Sequence, residues 1–128
     1  MEALHLPAYE YRRMRWKNAR GWTREILRVP DHDAFEWRVS IAEIDQDGPF
    51  SAFPGCERRL VLLSGEGMRL TFEDGREEVL RPPHQRIAFR GEESPHCVLL
   101  DGPTHDFNLI WRRDRVSAEI FHRPLVGP

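Results

Sequence analysis

Short apolar runs separated by turn-forming dipeptides constrain this chain more than any other feature of its sequence. The central stretch, residues 45–67, contains Asp47-Gly48-Pro49 and Pro54-Gly55 ahead of a continuous apolar run. Glycine supplies positive φ and proline presets φ near about −65°, so each dipeptide ends a strand and reverses the chain. This punctuation predicts a fold built from short strands.

The loop between these two turns carries Phe50 and Phe53. Two phenylalanines so close together predict a loop that folds back onto the protein with both rings buried. The run at residues 60–63 is apolar at every position, which is typical of a strand covered on both faces.

The clearest alternation lies at residues 35–41, where Phe, Trp, Val and Ile alternate with polar residues. This period predicts a half-buried strand with its apolar face toward the core. Ile44 falls outside the alternation, and this predicts a bulge near Ala42 and Glu43.

Seven further strands are predicted, and Asp74-Gly75 between two of them is a strong hairpin signal. They cover residues 23–29, 68–72, 76–80, 87–89, 98–100, 107–111 and 116–121. About eight or nine short strands without a helical pattern favour a sandwich, a jelly roll or a barrel. We expect a single domain over residues 1–128.

The composition narrows the classes of function. The chain has 128 residues, 40% of them hydrophobic, and 19 basic against 21 acidic side chains give a net charge of −2. This balance predicts no nucleic-acid partner, although the N-terminal segment is locally basic. No run is long enough for a membrane helix and no signal peptide is recognisable, so we expect a cytoplasmic location and no membrane association.

The sequence gives little support for a metal site or a catalytic nucleophile. The histidines, among them His84, His96, His105 and His122, lack ligand spacing, and no serine or cysteine lies in a nucleophile elbow. Cys56 and Cys97 are expected to be buried free thiols, with a disulfide between them as the alternative. We therefore predict no metal and no cofactor.

Two cations stand out as candidate ligands for an anion. Lys17 lies between Trp16 and Asn18, and Arg58 opens the central apolar strand, where a guanidinium can hold a carboxylate bidentately. The alternative is a structural role, in which Lys17 is exposed and Arg58 pairs with a carboxylate. The carboxylates considered for that pairing are Glu43, Asp101 and Asp106.

Several ordered motifs closely resemble the bacterial HutD/Ves proteins over about residues 12–120. The matching stretches are residues 16–18, 23–26, 37–44, 47–51, 53–55 and 100–103, followed by Asp106, Asn108, Arg112 and Arg113. The resemblance implies a cupin-like jelly roll or β-barrel. It also implies a role linked to histidine utilisation, as a regulator that senses a small anionic metabolite such as formylglutamate, with no established catalysis.

Carried over by position, the resemblance implies a pocket formed by Lys17, Asn18, Arg58, Asp101 and Asn108. The chain departs from the family in two ways. Residues 19–22 replace the usual glycine run, which reshapes the bend beside Lys17. The chain is also shorter than typical double-cupin members, and we expect a homodimer in which a second copy takes the place of the second half.

The sequence thus favours a non-catalytic protein that binds an anionic metabolite and acts as a sensor or accessory factor in histidine or amino-acid catabolism. A metal-free cupin-type isomerase or lyase acting on a small carboxylate is the alternative. It requires an acid or base such as His105 or Asp101 directed into the barrel. An interaction module is a third class, favoured if side chains fill the barrel.

Overall fold

The computed structural model describes residues 12–16, 20–31 and 34–115, and these ranges contain ten strands and no helix. The strands are β1 Arg12–Arg15, β2 Gly21–Val29, β3 Trp37–Ile44, β4 Gly48–Pro49, β5 Cys56–Ser64, β6 Met68–Thr71, β7 Glu77–Leu80, β8 Arg86–Arg90, β9 His96–Leu99 and β10 Thr104–Arg112. Over this part of the chain, therefore, no helix is long and apolar enough to cross a membrane. The strand predicted at residues 116–121 lies outside the described residues.

The strands form two antiparallel sheets that share one apolar core. The six-stranded sheet has the order β1-β2-β3-β10-β5-β8, and the four-stranded sheet has the order β4-β9-β6-β7. Both sheets supply the main core cluster, which comprises Ala42, Ile44, Phe50, Leu60, Leu62, Met68, Leu70, Phe72, Leu80, Phe89 and Cys97. Two antiparallel sheets facing each other across a core confirm the all-β prediction.

The predicted hairpin at Asp74-Gly75 is confirmed. Strands β6 and β7 pair across it, and Gly75 has a φ of 90°. The Asp74 side chain also accepts a hydrogen bond from the Arg76 backbone N–H at 2.9 Å. An aspartate that caps its own turn, followed by a glycine at positive φ, explains why this dipeptide was informative.

The predicted orientation of β3 was wrong. Its buried side chains are Ser40, Ala42 and Ile44, whereas Val39 and Ile41 are only half-buried. Apolarity was a poor guide because the inward face lines a polar cavity. Ile44 continues the inward row, and β3 pairs with β10 without the predicted bulge; the register shifts between Glu25 and Leu27 of β2 instead.

Two predictions for the central stretch also need correction. Strand β5 buries alternate residues, and Leu63 is 41% exposed, so this strand is not covered on both faces. Phe50 is buried, but Phe53 is half-buried because it lies at the rim of the cavity described below. The continuous apolar run therefore belongs to a strand with one buried face and one more exposed face.

The outward face of the six-stranded sheet explains this pattern. Strands β3 and β10 pair apolar residues across it, Val39 with Leu109 and Ile41 with Phe107. An apolar outward face is unusual for an antiparallel sheet, whose outer side chains are commonly polar. The expected homodimer stays a prediction.

Candidate anion-binding site

The inward rows of the six-stranded sheet place polar side chains next to one another at one end of the core. The register aligns Arg38 of β3, Ile110 of β10 and Arg58 of β5 in one row. The next inward row contains Ser40 and Asn108. Because side chains two positions apart on a strand share a face, both rows face the same space.

That space is a cavity of about 540 Å³. It is lined by Arg15, Trp16, Thr23, Arg38, Ser40, Ala42, Pro49, Phe50, Ser51, Ala52, Phe53, Arg58, Ser94, Asn108 and Ile110. The volume falls in the range typical of small-molecule sites, and an apolar wall with a few polar groups is their usual composition. The lining supplied by the described residues holds cations but no carboxylate, imidazole or thiol.

Arg58 is the central polar group of the cavity and is only 6% exposed. Its Nη1 donates to the backbone carbonyl of Ser51 at 3.1 Å, and its Nη2 donates to Asn108 Oδ1 at 3.2 Å. Its Nε is buried and has no hydrogen-bond partner, and no carboxylate among the described residues forms an ion pair with it. A buried guanidinium without a counter-ion is costly, so this group is poised to receive an anion.

Three aromatic rings surround the Arg58 guanidinium. Its Cζ lies 5.7 Å from the ring centre of Phe50, 5.1 Å from Phe53 and 4.9 Å from Phe89. Ring faces attract a cation without neutralising it. Burial, together with the positive charge of Arg38, lowers the pKa of Arg58 to about 10, which leaves the side chain charged at neutral pH.

Arg38 differs from Arg58 because it has a counter-ion. Its Nε donates to Glu25 Oε1 at 2.9 Å, and Glu25 itself is 5% exposed. Arg28 also approaches Glu25, at 3.6 Å. The cavity therefore contains one guanidinium that is neutralised by the protein and one that is not.

The loop that carries Phe53 is fixed from outside the cavity. Phe53 N donates to the carbonyl of Gly91, and Gly55 N donates to Glu92 at 2.8 Å. Arg113 donates to both carboxylate oxygens of Glu92, at 2.7 and 2.8 Å. These hydrogen bonds keep the pKa of Glu92 well below its ordinary value. A side chain at Gly91 would overlap the Phe53 carbonyl, so this glycine permits the close approach.

The basic N-terminal segment has a structural role in its described part. Arg13 pairs with Glu43 at 3.1 Å and lies over the Trp22 ring, 4.0 Å from its centre. Arg15 pairs with Asp45 at 3.1 Å. Ion pairs and ring contacts of this kind give these cations partners within the protein.

The structure brings together two of the five residues predicted for the site. Arg58 and Asn108 are hydrogen-bonded inside the cavity. Asp101 is exposed in the turn between β9 and β10 and does not line the cavity. Lys17 and Asn18 lie outside the described residues.

Sequence reasoning missed Arg38 and Ser40. Both lie on the polar side of the alternation in β3, which was expected to face solvent. The sequence held no signal for this orientation, because alternation gives the period of a strand and does not say which side meets the core.

Asp106 is another buried polar residue, and it lies two residues before Asn108 on the same face of β10. It is fully buried; its Oδ2 accepts a hydrogen bond from Thr104 at 3.0 Å, and its Oδ1 has no partner. Burial raises the pKa of Asp106 to about 7. This carboxyl does not line the cavity.

The remaining reactive side chains do not form a site among the described residues. No group of three His, Cys, Asp or Glu residues there is arranged to hold a metal ion. Cys56 and Cys97 are buried free thiols, as predicted, and burial raises the pKa of Cys97 to about 12. A thiol with such a pKa stays protonated and unreactive.

The fold is that of the cupins. The structure of KdgF from Halomonas sp. superposes with a TM-score of 0.65 at 12% identity and covers 88% of this chain and 96% of its own. At that identity the likeness concerns the fold alone. The fold and the cavity together define a cupin-like β protein with an internal polar pocket.

Closer relatives identify the family. The family model described as HutD matches residues 8–128, and the chain belongs to the HutD family. An "uncharacterized 21.2 kDa protein in hutC 3'region" of Pseudomonas putida is 44% identical over 90% of this chain. The protein Ves of Cronobacter sakazakii is 38% identical over 82% of it.

A solved relative agrees with this assignment. The structure of HutD from Pseudomonas fluorescens SBW25, described as a formate condition, has a TM-score of 0.77 at 42% identity and covers 84% of this chain. The chain spans 59% of that protein, and 61% and 58% of the two curated relatives.

Proposed function

We propose that the cavity binds a small carboxylate and that the protein is a non-catalytic sensor or accessory factor in histidine or amino-acid catabolism in the cytoplasm. The observation that carries the proposal is the Arg58 guanidinium, which is buried, charged and not neutralised by a carboxylate of the described residues. A carboxylate that accepts from Nε and one Nη would satisfy the orphan donor and the charge together.

The remaining lining supports the same ligand. Asn108 and Ser40 offer hydrogen-bonding groups beside the cation, and Phe50, Phe53 and Ile110 offer apolar contact. A short carboxylic acid with an amide or formyl group fits this combination. The hutC-region relative supports the link to histidine utilisation, for which formylglutamate is the ligand implied by the family resemblance.

The lining also favours binding over catalysis. General acid–base chemistry needs a titratable group within reach of the substrate. His105, Asp101 and Asp106 do not line the cavity. Within the described residues, the polar groups of the lining are suited to holding an anion and not to moving a proton.

Isothermal titration calorimetry with N-formylglutamate and with formate tests the proposal. We expect Arg58→Gln to weaken binding at least about thirtyfold, because a charge-assisted contact contributes roughly 2 kcal/mol. Arg59→Gln is the matched control. This neighbour stacks on Trp111, 4.7 Å from the ring centre, and does not line the cavity.

Three outcomes are informative. Loss of binding in Arg58→Gln with retention in Arg59→Gln supports the proposal. Equal weakening in both variants contradicts it, because a general reduction of positive charge would then explain the effect. Absence of binding of either carboxylate to the wild-type protein also contradicts it.

A further inference from the structure

Glu25 is a buried carboxylate beside the cavity that does not line it and that contacts Arg38, which does. It lies on β2, opposite Ser40 of β3, where the register between the strands shifts. Its Oε1 accepts from Arg38 Nε at 2.9 Å and lies 3.6 Å from Arg28 Nε. Arg28 has a second acidic partner, Asp31, at 3.1 Å.

The charges that face the cavity can be compared one by one. Arg38 lines it but is neutralised by Glu25, and Arg15 lines it but is paired with Asp45. Arg58 has no such partner among the described residues. The described part of the cavity therefore presents two guanidinium groups in its inner row but only one uncompensated positive charge.

Removing the charge of Glu25 would raise the number of uncompensated positive charges in the inner row from one to two. Arg38 and Arg58 flank Ile110 in one cross-strand row, about 10 Å apart at their backbones given the usual strand spacing. At such separations inside a protein, a full charge still acts strongly on a neighbouring anion. A carboxylate in the cavity would interact with two positive charges instead of one.

On the premise that the cavity binds carboxylates, we propose that Glu25 determines how many carboxylates of a ligand the inner cavity binds. By neutralising Arg38, it leaves one uncompensated cation in the inner cavity, Arg58, which receives one carboxylate of the ligand. Glu25 is a positioning and specificity residue that acts through Arg38. It does not contact the ligand.

Two probes of nearly the same shape test this inference. N-formylglutamine has one carboxylate and N-formylglutamate has two. The affinity ratio of these compounds is measured by calorimetry in the wild-type protein, Glu25→Gln, Arg38→Gln and the double variant. Lys17 is the same in all four proteins, so its contribution to either affinity cancels in the comparison.

We expect Glu25→Gln to shift the ratio toward N-formylglutamate by about tenfold, because a second cation becomes available to the second carboxylate. The double variant restores the original number of uncompensated charges, so its ratio should return to within about twofold of the wild-type value. Arg38→Gln alone should shift the ratio toward N-formylglutamine, because the negative charge of Glu25 is then no longer balanced by Arg38.

Thermal unfolding of each variant controls for damage to the fold. A folded Glu25→Gln protein that binds both probes at the wild-type ratio overturns the inference while leaving the carboxylate-binding function intact. A shift that the double variant fails to reverse also overturns it, because the effect would not act through Arg38. If Glu25→Gln does not fold, the Arg38→Gln ratio decides alone, and an unchanged ratio refutes the proposal. A wild-type protein that binds neither probe instead refutes the proposed function.

Discussion

The interior between the two sheets has two ends that are built from the same three strands but differ in polarity. At one end, β3, β5 and β10 present Arg38, Arg58 and Asn108 to a cavity. At the other end, the same inward rows continue into the packed core with Ile44 and Leu62. The contrast shows that one strand can contribute both to the cavity and to the packed core.

The two ends also differ in what burial does to stability. Packing Leu62 against its neighbours removes apolar surface from water and stabilises the fold. Burying Arg58 without a carboxylate partner has the opposite effect, because its solvation is lost and only partly replaced. The proposed carboxylate would supply the counter-ion that Arg58 lacks among the described residues.

The largest expected effect concerns the packed end. Leu62→Ala should lower the free energy of unfolding by roughly 2–5 kcal/mol, because it leaves a void in a core where Leu62 is 1% exposed. Ser40→Ala at the cavity end removes one oxygen and should change it by less than about 1 kcal/mol. Urea unfolding measures both, and similar losses would contradict the division into a packed end and a binding end.

A smaller effect concerns Asp106, the polar residue within the packed end. Its pKa is raised from the ordinary 3.8 to about 7, so the folded state keeps a proton that the unfolded chain releases earlier. Stability contributed by this proton is complete below about pH 4 and is lost as the pH rises through about 7, a change on the order of a few kcal/mol.

Asp106→Asn should therefore remove this part of the pH dependence. The difference in unfolding free energy between wild type and variant should move in favour of the variant as the pH rises from about 4 to about 8. Asp101→Asn, at an exposed position, is the control for the loss of a carboxylate outside the core. A flat difference for Asp106→Asn would show that its carboxyl titrates normally in the folded protein.

The comparison of the two ends also explains what the sequence predicted. The hairpin at Asp74-Gly75 was predictable because its turn is specified by local backbone chemistry. The apolar end was predictable in part, since the apolar run at residues 60–63 contains the buried Leu60 and Leu62. The face of β3 was not, because alternation gives the period of a strand and cannot say which side meets the core.

The site was predictable in part, because Arg58 opens the central apolar strand and family motifs marked it together with other positions. The resemblance selected Arg58 and Asn108, which the fold brings together, and also Asp101, which lies at the surface. Arg38 and Glu25 could not be selected, because their pairing depends on the register between β2 and β3. A shift in that register is set by tertiary packing and leaves no local signal.

The central claim is that Arg58 lowers the stability of the ligand-free protein and that a bound carboxylate compensates for this loss. Thermal unfolding of the wild-type protein and Arg58→Met, each with and without N-formylglutamate, tests it most directly. Methionine keeps the apolar length of the side chain without the charge, so the empty variant should unfold at the same temperature as the wild type or higher. N-formylglutamate at about a hundredfold excess over its dissociation constant should stabilise the wild type by roughly 3 kcal/mol and leave the variant unchanged. An empty variant that is clearly less stable than the wild type, yet is stabilised equally by the ligand, would contradict the account.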